Sequence, residues 1–259
     1  MSMMTTTHPL ARLESERPAA SPATAVRPWG FWATLGWFGV AVATFIAANF
    51  LCGFGYVIWF VLTHPGAAIN VESQVLHHLA IAVAMPAAAL VLMLAARRGG
   101  SVSNYLGLVL PHGRDVLIGL AALAALWGIS FVLFMLFPAY DQSGELIREY
   151  RATLGNPTAL MLNWLTLVVT APVAEEIIFR GFLMRGWSAS RLGPVGAVVL
   201  SSAAFAVVHV QYNVPTMFMV FSLGLLFGVM RWRTGSTTLT ILLHAAWNLS
   251  AGLYYAWHA

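Results

Sequence analysis

Phe31 to Leu62 is an apolar run of 32 residues without one charged side chain. About 20 apolar residues already cross the hydrocarbon of a bilayer, so such a run is a membrane segment before it is anything else. Six more apolar runs follow it: Val75 to Ala96, interrupted by Pro86, then Val116 to Phe137, Ala159 to Phe179, Val195 to Val210, Pro215 to Met230 and Leu239 to Trp257. Over the 259 residues, 59% are hydrophobic and 8% charged, and the mean hydropathy is +0.78, outside the range of soluble domains. Backbone amides in lipid must be paired within a segment or a closed barrel, and nothing in these runs alternates with the period of two that barrel strands show. The chain therefore reads as all-α, a polytopic transmembrane helix bundle of about seven spans, with six and eight as the neighbouring counts.

Residues 1–28, with four prolines, mixed charge and no apolar core, read as a disordered cytoplasmic tail. The tail is too long and too acidic for a signal peptide. The run after it exceeds one perpendicular crossing, which predicts tilt, a kink near Gly53 and Gly55, or an interfacial portion. Residues 29–157 form N-terminal helices and an external loop, and residues 158–259 a helical core that carries the unusual polar groups. The net charge of +4 comes from thirteen arginines with no lysine, and no basic run has interleaved aromatics, so nucleic acid is excluded as a partner. The single Cys52 allows no intrachain disulfide.

Arg12, Arg17, Arg27, Arg97, Arg98, Arg114, Arg185, Arg191, Arg231 and Arg233 fall on one side of a seven-span arrangement, with Arg148 and Arg151 on the other. The first side is cytoplasmic by the positive-inside rule. The segment Pro138 to Pro157 then becomes an external loop containing a short amphipathic helix. His64, His77, His78 and His258 fall at external ends, and Trp29, Trp32, Trp59, Trp164, Trp232 and Trp257 form an aromatic belt.

Ionisable groups inside apolar spans are costly and mark function. Glu175, Glu176 and Arg180 stand near the end of the fourth run. Helical geometry turns Glu176 and Arg180 to one face and Glu175 about 100° away, leaving it free for another partner. His209 lies in the fifth run, His244 and Asn248 in the seventh, one turn apart. Glu175 is 17 residues before Leu192, in the turn Arg191-Leu192-Gly193-Pro194, and His209 is 17 after it. A helical hairpin folded there sets the two side chains at one height, about 25 Å from the turn. His244 lies only about 12 Å above the next turn, Thr234-Gly235-Ser236, so the heights agree only if the first hairpin projects beyond the second. Gly224 and Gly228 with Ser222 offer a small-residue face for close packing, and Pro172 can kink or break the helix beside the glutamates.

Hydrolysis of a peptide bond needs a water, a base and donors for the oxyanion. Glu175 suits the base, His209 the sharing of the water, His244 and Asn248 the oxyanion, and the Glu176–Arg180 pair the support of the site. The same groups read differently as a structural salt bridge and two interhelical hydrogen-bonding histidines. Zinc on Glu175, His209 and His244 is a third reading, although the spacing is not His-Glu-x-x-His. Ser201 and Ser202 lie two turns from His209 without an equally persuasive setting for a nucleophile. Outside enzymes, buried Glu and His serve proton relays in transporters, against which stands the absence of a detectable inverted repeat.

In order, Glu175-Glu176-x-x-x-Arg180, Phe205-x-x-x-His209, Phe221-x-x-Gly224-x-x-x-Gly228, Thr234-Gly235-Ser236 and His244-x-x-x-Asn248 resemble the motifs of the CPBP family of CAAX proteases and bacteriocin-processing enzymes. The likeness covers about residues 170–250 and departs at none of the polar positions. It implies an intramembrane endopeptidase related to Ras-converting CAAX prenyl endopeptidases, in a bacterial inner (plasma) membrane. The site would open toward the cytoplasm and act on a membrane-associated or prenylated protein or peptide. Glu175 with His209 would activate water, His244 and Asn248 would serve the oxyanion, and Glu176 with Arg180 would support them. A metal-free glutamate mechanism is favoured over the family's older metalloprotease label. A regulatory or immunity-type partner keeping the fold without turnover is the non-enzymatic alternative.

Overall fold

The computed structural model describes residues 28–66, 73–138 and 141–259, so the expected tail lies almost wholly outside the described residues. Helix α1 (Phe31–Thr63) runs 33 residues without a break at Gly53 or Gly55. Its length is about 50 Å against a hydrocarbon core of about 30 Å. Trp32, Phe50, Leu51, Phe54 and Leu62 are exposed on it, an apolar surface that lipid chains cover. In α2 (Gln74–Ala96) the buried positions Ala80, Ala84, Ala88, Leu92 and Ala96 repeat every four residues, a stripe of mostly small residues that lets neighbours approach. Pro86 is accommodated inside this helix. A 3₁₀ turn (Arg97–Gly99) leads to the short α3 (Val102–Leu106), then come α4 (Gly113–Leu136) and the expected amphipathic helix α5 (Ser143–Thr153).

The centre of the bundle is one helical rod. Asn156 caps it, its side-chain oxygen accepting from the amides of Thr158 and Ala159, and Pro157 fills the first turn where no amide partner is needed. The rod comprises α6 (Pro157–Leu165), a π turn (Thr166–Thr170), α7 (Ala171–Glu176), a second π turn (Ile177–Leu183) and α8 (Met184–Ser188). Pro172 does not break it. Every residue from Ile177 to Leu183 is buried, which a helix achieves only when it is covered on all sides. Three helices complete the fold: α9 (Gly193–Val207), α10 (Val214–Thr234), capped by Asn213, and α11 (Thr237–His258), capped by Ser236.

By length and composition, Phe31–Thr63, Gln74–Gly99, Gly113–Leu136 and Val214–Thr234 suffice to cross a membrane. The other three anticipated spans are helical but are interrupted by π turns (the rod), shorter (α9) or richer in polar residues (α11). The protein is an integral membrane protein with an all-α fold.

The equal-armed hairpin is present. Phe179 and Phe205, each 13 residues from Leu192, meet edge to face with centroids 5.3 Å apart. The expected projection is present too. A Cβ on Gly181 would lie 3.2 Å from Leu106, and the Leu106 carbonyl accepts from the Thr237 hydroxyl, so Gly181 is level with the start of α11 and the hairpin end reaches beyond it. Between α9 and α10, Cβ atoms on Gly224 and Gly228 would stand 2.9 Å from Ser202 and Val198, the close approach expected of that small-residue face. Two apolar clusters result, one around the rod with α2, α3 and α9, the other joining α4, α10 and α11.

Candidate active site

The polar groups sit where the two clusters meet. Arg180 is fully buried, its guanidinium carbon 4.4 Å from the Phe205 ring centroid and 5.4 Å from that of Phe227, one aromatic from each cluster. It donates from Nη1 to Glu176 Oε1 at 2.8 Å and from Nη2 to the Gly224 carbonyl at 3.2 Å. The glycine that lets α10 approach α9 therefore also exposes a carbonyl to the arginine. Spacing alone predicted the Glu176–Arg180 pair; the aromatic enclosure and the Gly224 carbonyl carry no sequence signal beyond the apolar character of their positions.

His244 is clasped by both glutamates. Its Nδ1 lies 3.0 Å from Glu176 Oε1, an acceptor, so Nδ1 carries the proton. Its Nε2 faces Glu175 Oε2 at 3.8 Å, beyond hydrogen-bond length but a gap that one oxygen atom can bridge. Phe205 stands perpendicular to the His244 ring at 5.8 Å and Phe227 lies 5.4 Å from it. Glu175 and His244 are 6% and 5% exposed, so the pair is nearly sealed, yet not entirely as Glu176 is. Arg180 neutralises Glu176, and among the described residues no cation lies within hydrogen-bond length of Glu175.

Asn248 is held by a consequence of the first π turn. There the Ala171 amide bonds to the Thr166 carbonyl, five residues back. In that register the Leu167 carbonyl would need the amide of residue 172, which is proline and has none. Asn248 Nδ2 fills the vacancy at 2.8 Å, and its second N–H remains for other work. Pro172 thus acts by creating a docking point for Asn248 and not by opening the helix.

His209 differs most from its expected place. The helix α9 stops at Val207, and His209 is half-buried on the turn beyond it. Its Nδ1 donates to the Phe205 carbonyl at 2.7 Å, leaving Nε2 as the acceptor of the neutral ring. The ring packs against Phe205 at 4.8 Å and stacks on Tyr212 at 5.8 Å. Tyr212 feels Glu175: burial first, then the Glu175 and Glu149 carboxylates, push its phenol above the ordinary tyrosine range. Phe205 therefore separates the two histidines. This loop is tied to Gln142 at the start of α5, at the opposite end of the bundle from the turns that carry Arg97, Arg98, Arg191 and Arg233. Because α9, about 22 Å long, ends two residues before His209, the ring is carried by the loop and not by the helix.

The zinc reading is not matched by the geometry. Among the described residues no three His, Cys, Asp or Glu side chains converge as metal ligands, and both Nδ1 atoms are already bonded. Ser201 and Ser202 are buried and both hydroxyls donate to the Val198 carbonyl within their own helix, so neither is placed as a nucleophile.

Residues 157–250 match the family described as Rce1-like, type II CAAX prenyl endopeptidase Rce1-like. The chain is 34% identical over 88 residues to an uncharacterized 24.3 kDa protein of Escherichia coli, a match that takes in 33% of this chain and 40% of that protein. The chain thus spans about two fifths of the length of that relative. No solved structure matches it. The matched segment begins at the first residue of the rod and ends two residues past Asn248, taking in all six polar groups. The ordered motifs and the geometry that joins them thus fall within residues 157–250, the segment that is similar to the Rce1-like CAAX prenyl endopeptidase family.

Proposed function

We propose that this protein is an intramembrane endopeptidase of the CAAX-protease type that hydrolyses a peptide bond of a membrane-associated or prenylated protein with a glutamate-activated water. The observation that carries it is the division of labour between adjacent carboxylates: Glu176 is neutralised by Arg180, while Glu175 faces His244 Nε2 across 3.8 Å without a cation bonded to it. Glu175 takes a proton from water as the hydroxide oxygen bonds to the scissile carbonyl carbon. His244, already donating from Nδ1, donates to the oxyanion from Nε2 as the imidazolium, with the Glu176 carboxylate as its counter-charge. The second N–H of Asn248 is the other donor. As the C–N bond breaks, Glu175 returns its proton to the leaving amine, with His209 Nε2 as an acceptor in the water's path.

Comparative proteomics of membranes carrying the wild type or Glu175→Gln tests this. A precursor that accumulates and a fragment that disappears in the variant name the substrate; no difference in any membrane protein overturns the reading. No step is routed through a metal, since the named ligands do not converge. Cleavage is expected to survive a strong chelator, and stoichiometric recovery by zinc after its loss would reverse that assignment.

The membrane orientation belongs to the same reading, with the arginine-bearing turns cytoplasmic. On a Cys52→Ser background, an impermeant thiol reagent added outside is expected to label Gln211→Cys and not Arg191→Cys, both positions being exposed. The opposite pattern inverts the topology and exposes the His209 loop to the cytoplasm.

A further inference from the structure

The loop of residues 208–213 joins α9 to α10 and carries His209 and Tyr212, and its far half is bonded at two backbone groups by a side chain from a distant segment. Gln142 donates from Nε2 to the Gln211 carbonyl at 3.3 Å and accepts at Oε1 from the Asn213 amide at 2.9 Å. An acceptor and a donor two residues apart on one edge are what a neighbouring strand would meet, and a primary amide is the side chain that answers both. A carboxylate answers only the amide, and an alkyl group neither. The backbone presenting Gln142 is itself fixed, because the Asp141 carboxylate accepts from the Ser143 amide and hydroxyl at 2.9 Å each.

The other end of α5 is tied to the other half of the site. Arg151 donates to the carbonyls of Ala259 and His258 at 3.0 and 3.2 Å, at the end of α11, the helix that carries His244 and Asn248. Tyr150, buried, packs edge-on against Trp164 of the rod at 6.1 Å. A helix that sequence reading leaves as a solvated surface element thus touches all three chain segments that supply the polar groups.

We propose that Gln142 is a positioning residue: its amide holds the 208–213 loop closed and so fixes His209 relative to Glu175. The proposal rests on the endopeptidase reading for its consequence in turnover, but not for its structural part. Among the described residues the His209 side chain has one hydrogen-bonded anchor, the Phe205 carbonyl, and it sits beyond the end of its helix. Losing the bonds to the Gln211 carbonyl and the Asn213 amide loosens the stretch between that anchor and the Asn213 cap of α10, and Tyr212 with it.

The experiment uses the full chain in lipid nanodiscs with Gln142→Ala and Gln142→Glu beside the wild type. Amide hydrogen exchange is read over residues 208–213 and over the rod. For Gln142→Ala, exchange of the loop is expected to rise about tenfold or more, with the rod and the unfolding transition unmoved. For Gln142→Glu, which keeps the acceptor for Asn213, the rise is expected to be smaller. Unchanged loop exchange in Gln142→Ala overturns the clamp, whatever the activity. With a substrate verified against Glu175→Gln, kcat of Gln142→Ala is expected to fall about 10- to 100-fold at nearly constant KM, the cost of a group misplaced by about an ångström. A loosened loop with full kcat overturns the positioning role. If the wild type cleaves nothing, the endopeptidase reading fails, while the exchange measurement still decides the clamp.

Discussion

Glu175→Gln is expected to bring peptide-bond cleavage down to background while leaving the protein folded. Glutamine keeps the volume and the hydrogen-bonding reach of glutamate but cannot take a proton from water, so the change strikes the base and little else. Glu175 makes no hydrogen bond that the fold depends on among the described residues; its one close polar neighbour is His244 Nε2 at 3.8 Å. Loss of one oxyanion donor typically costs about 10²–10³ in rate, so Asn248→Ala should stay measurable where Glu175→Gln does not. Asn248→Ala also leaves the Leu167 carbonyl without its donor, and its effect is expected to include a loss of stability that Glu175→Gln lacks. Initial rates on a verified substrate, with unfolding midpoints for each variant, separate the two. Wild-type turnover in Glu175→Gln would remove the base and with it the proposed mechanism.

Local geometry made the first half of this site legible in the sequence. A carboxylate and an arginine four residues apart on a helix must share a face, and Glu176 and Arg180 do, at 2.8 Å. Equal arms about Leu192 brought the two limbs of the hairpin into register, seen now in the Phe179–Phe205 contact. What the spacing could not supply were the partners chosen across helices. Glu175 faces His244 Nε2 at 3.8 Å, a contact that the spacing did not name, while α9 ends at Val207 and the Phe205 ring packs against both histidines. Whether His244 meets one carboxylate or both depends on how α11 crosses the rod, a quantity that side-chain periodicity does not contain.

The π turns were equally out of reach. A shift from a four- to a five-residue hydrogen-bond step costs little and is decided by packing, and such turns recur at functional sites. Pro172 was the one visible clue. It suggested a kink or break, whereas the rod continues and the displaced carbonyl of Leu167 takes its hydrogen bond from Asn248. Surface periodicity likewise identified α5 as amphipathic, but the reach of Gln142 and Arg151 to residues about 70 and 107 positions away is a tertiary fact.

The second large effect falls on stability. Arg180→Leu is expected to destabilise the protein by about 3–5 kcal/mol, because it leaves a fully buried Glu176 without its cation. Glu176 would retain His244 and the Thr240 hydroxyl, and the Gly224 carbonyl would lose its donor, while leucine still fills the space between Phe205 and Phe227. Packing is therefore preserved and the cost is electrostatic. The double variant Glu176→Gln/Arg180→Leu removes both charges, and most of the lost stability is expected to return, since a neutral amide costs far less to bury than an unpaired carboxylate. Catalysis is not expected to return with it. The glutamine oxygen still accepts from His244 Nδ1, but the carboxylate charge that holds the His244 imidazolium against the oxyanion is gone. Denaturant titration in mixed micelles reads the stability of both variants, and turnover is measured on the double variant at temperatures where it is folded. Equal stability of Arg180→Leu and the wild type would show that the buried pair does not hold this site together; full activity of the double variant would take His244 out of the oxyanion role.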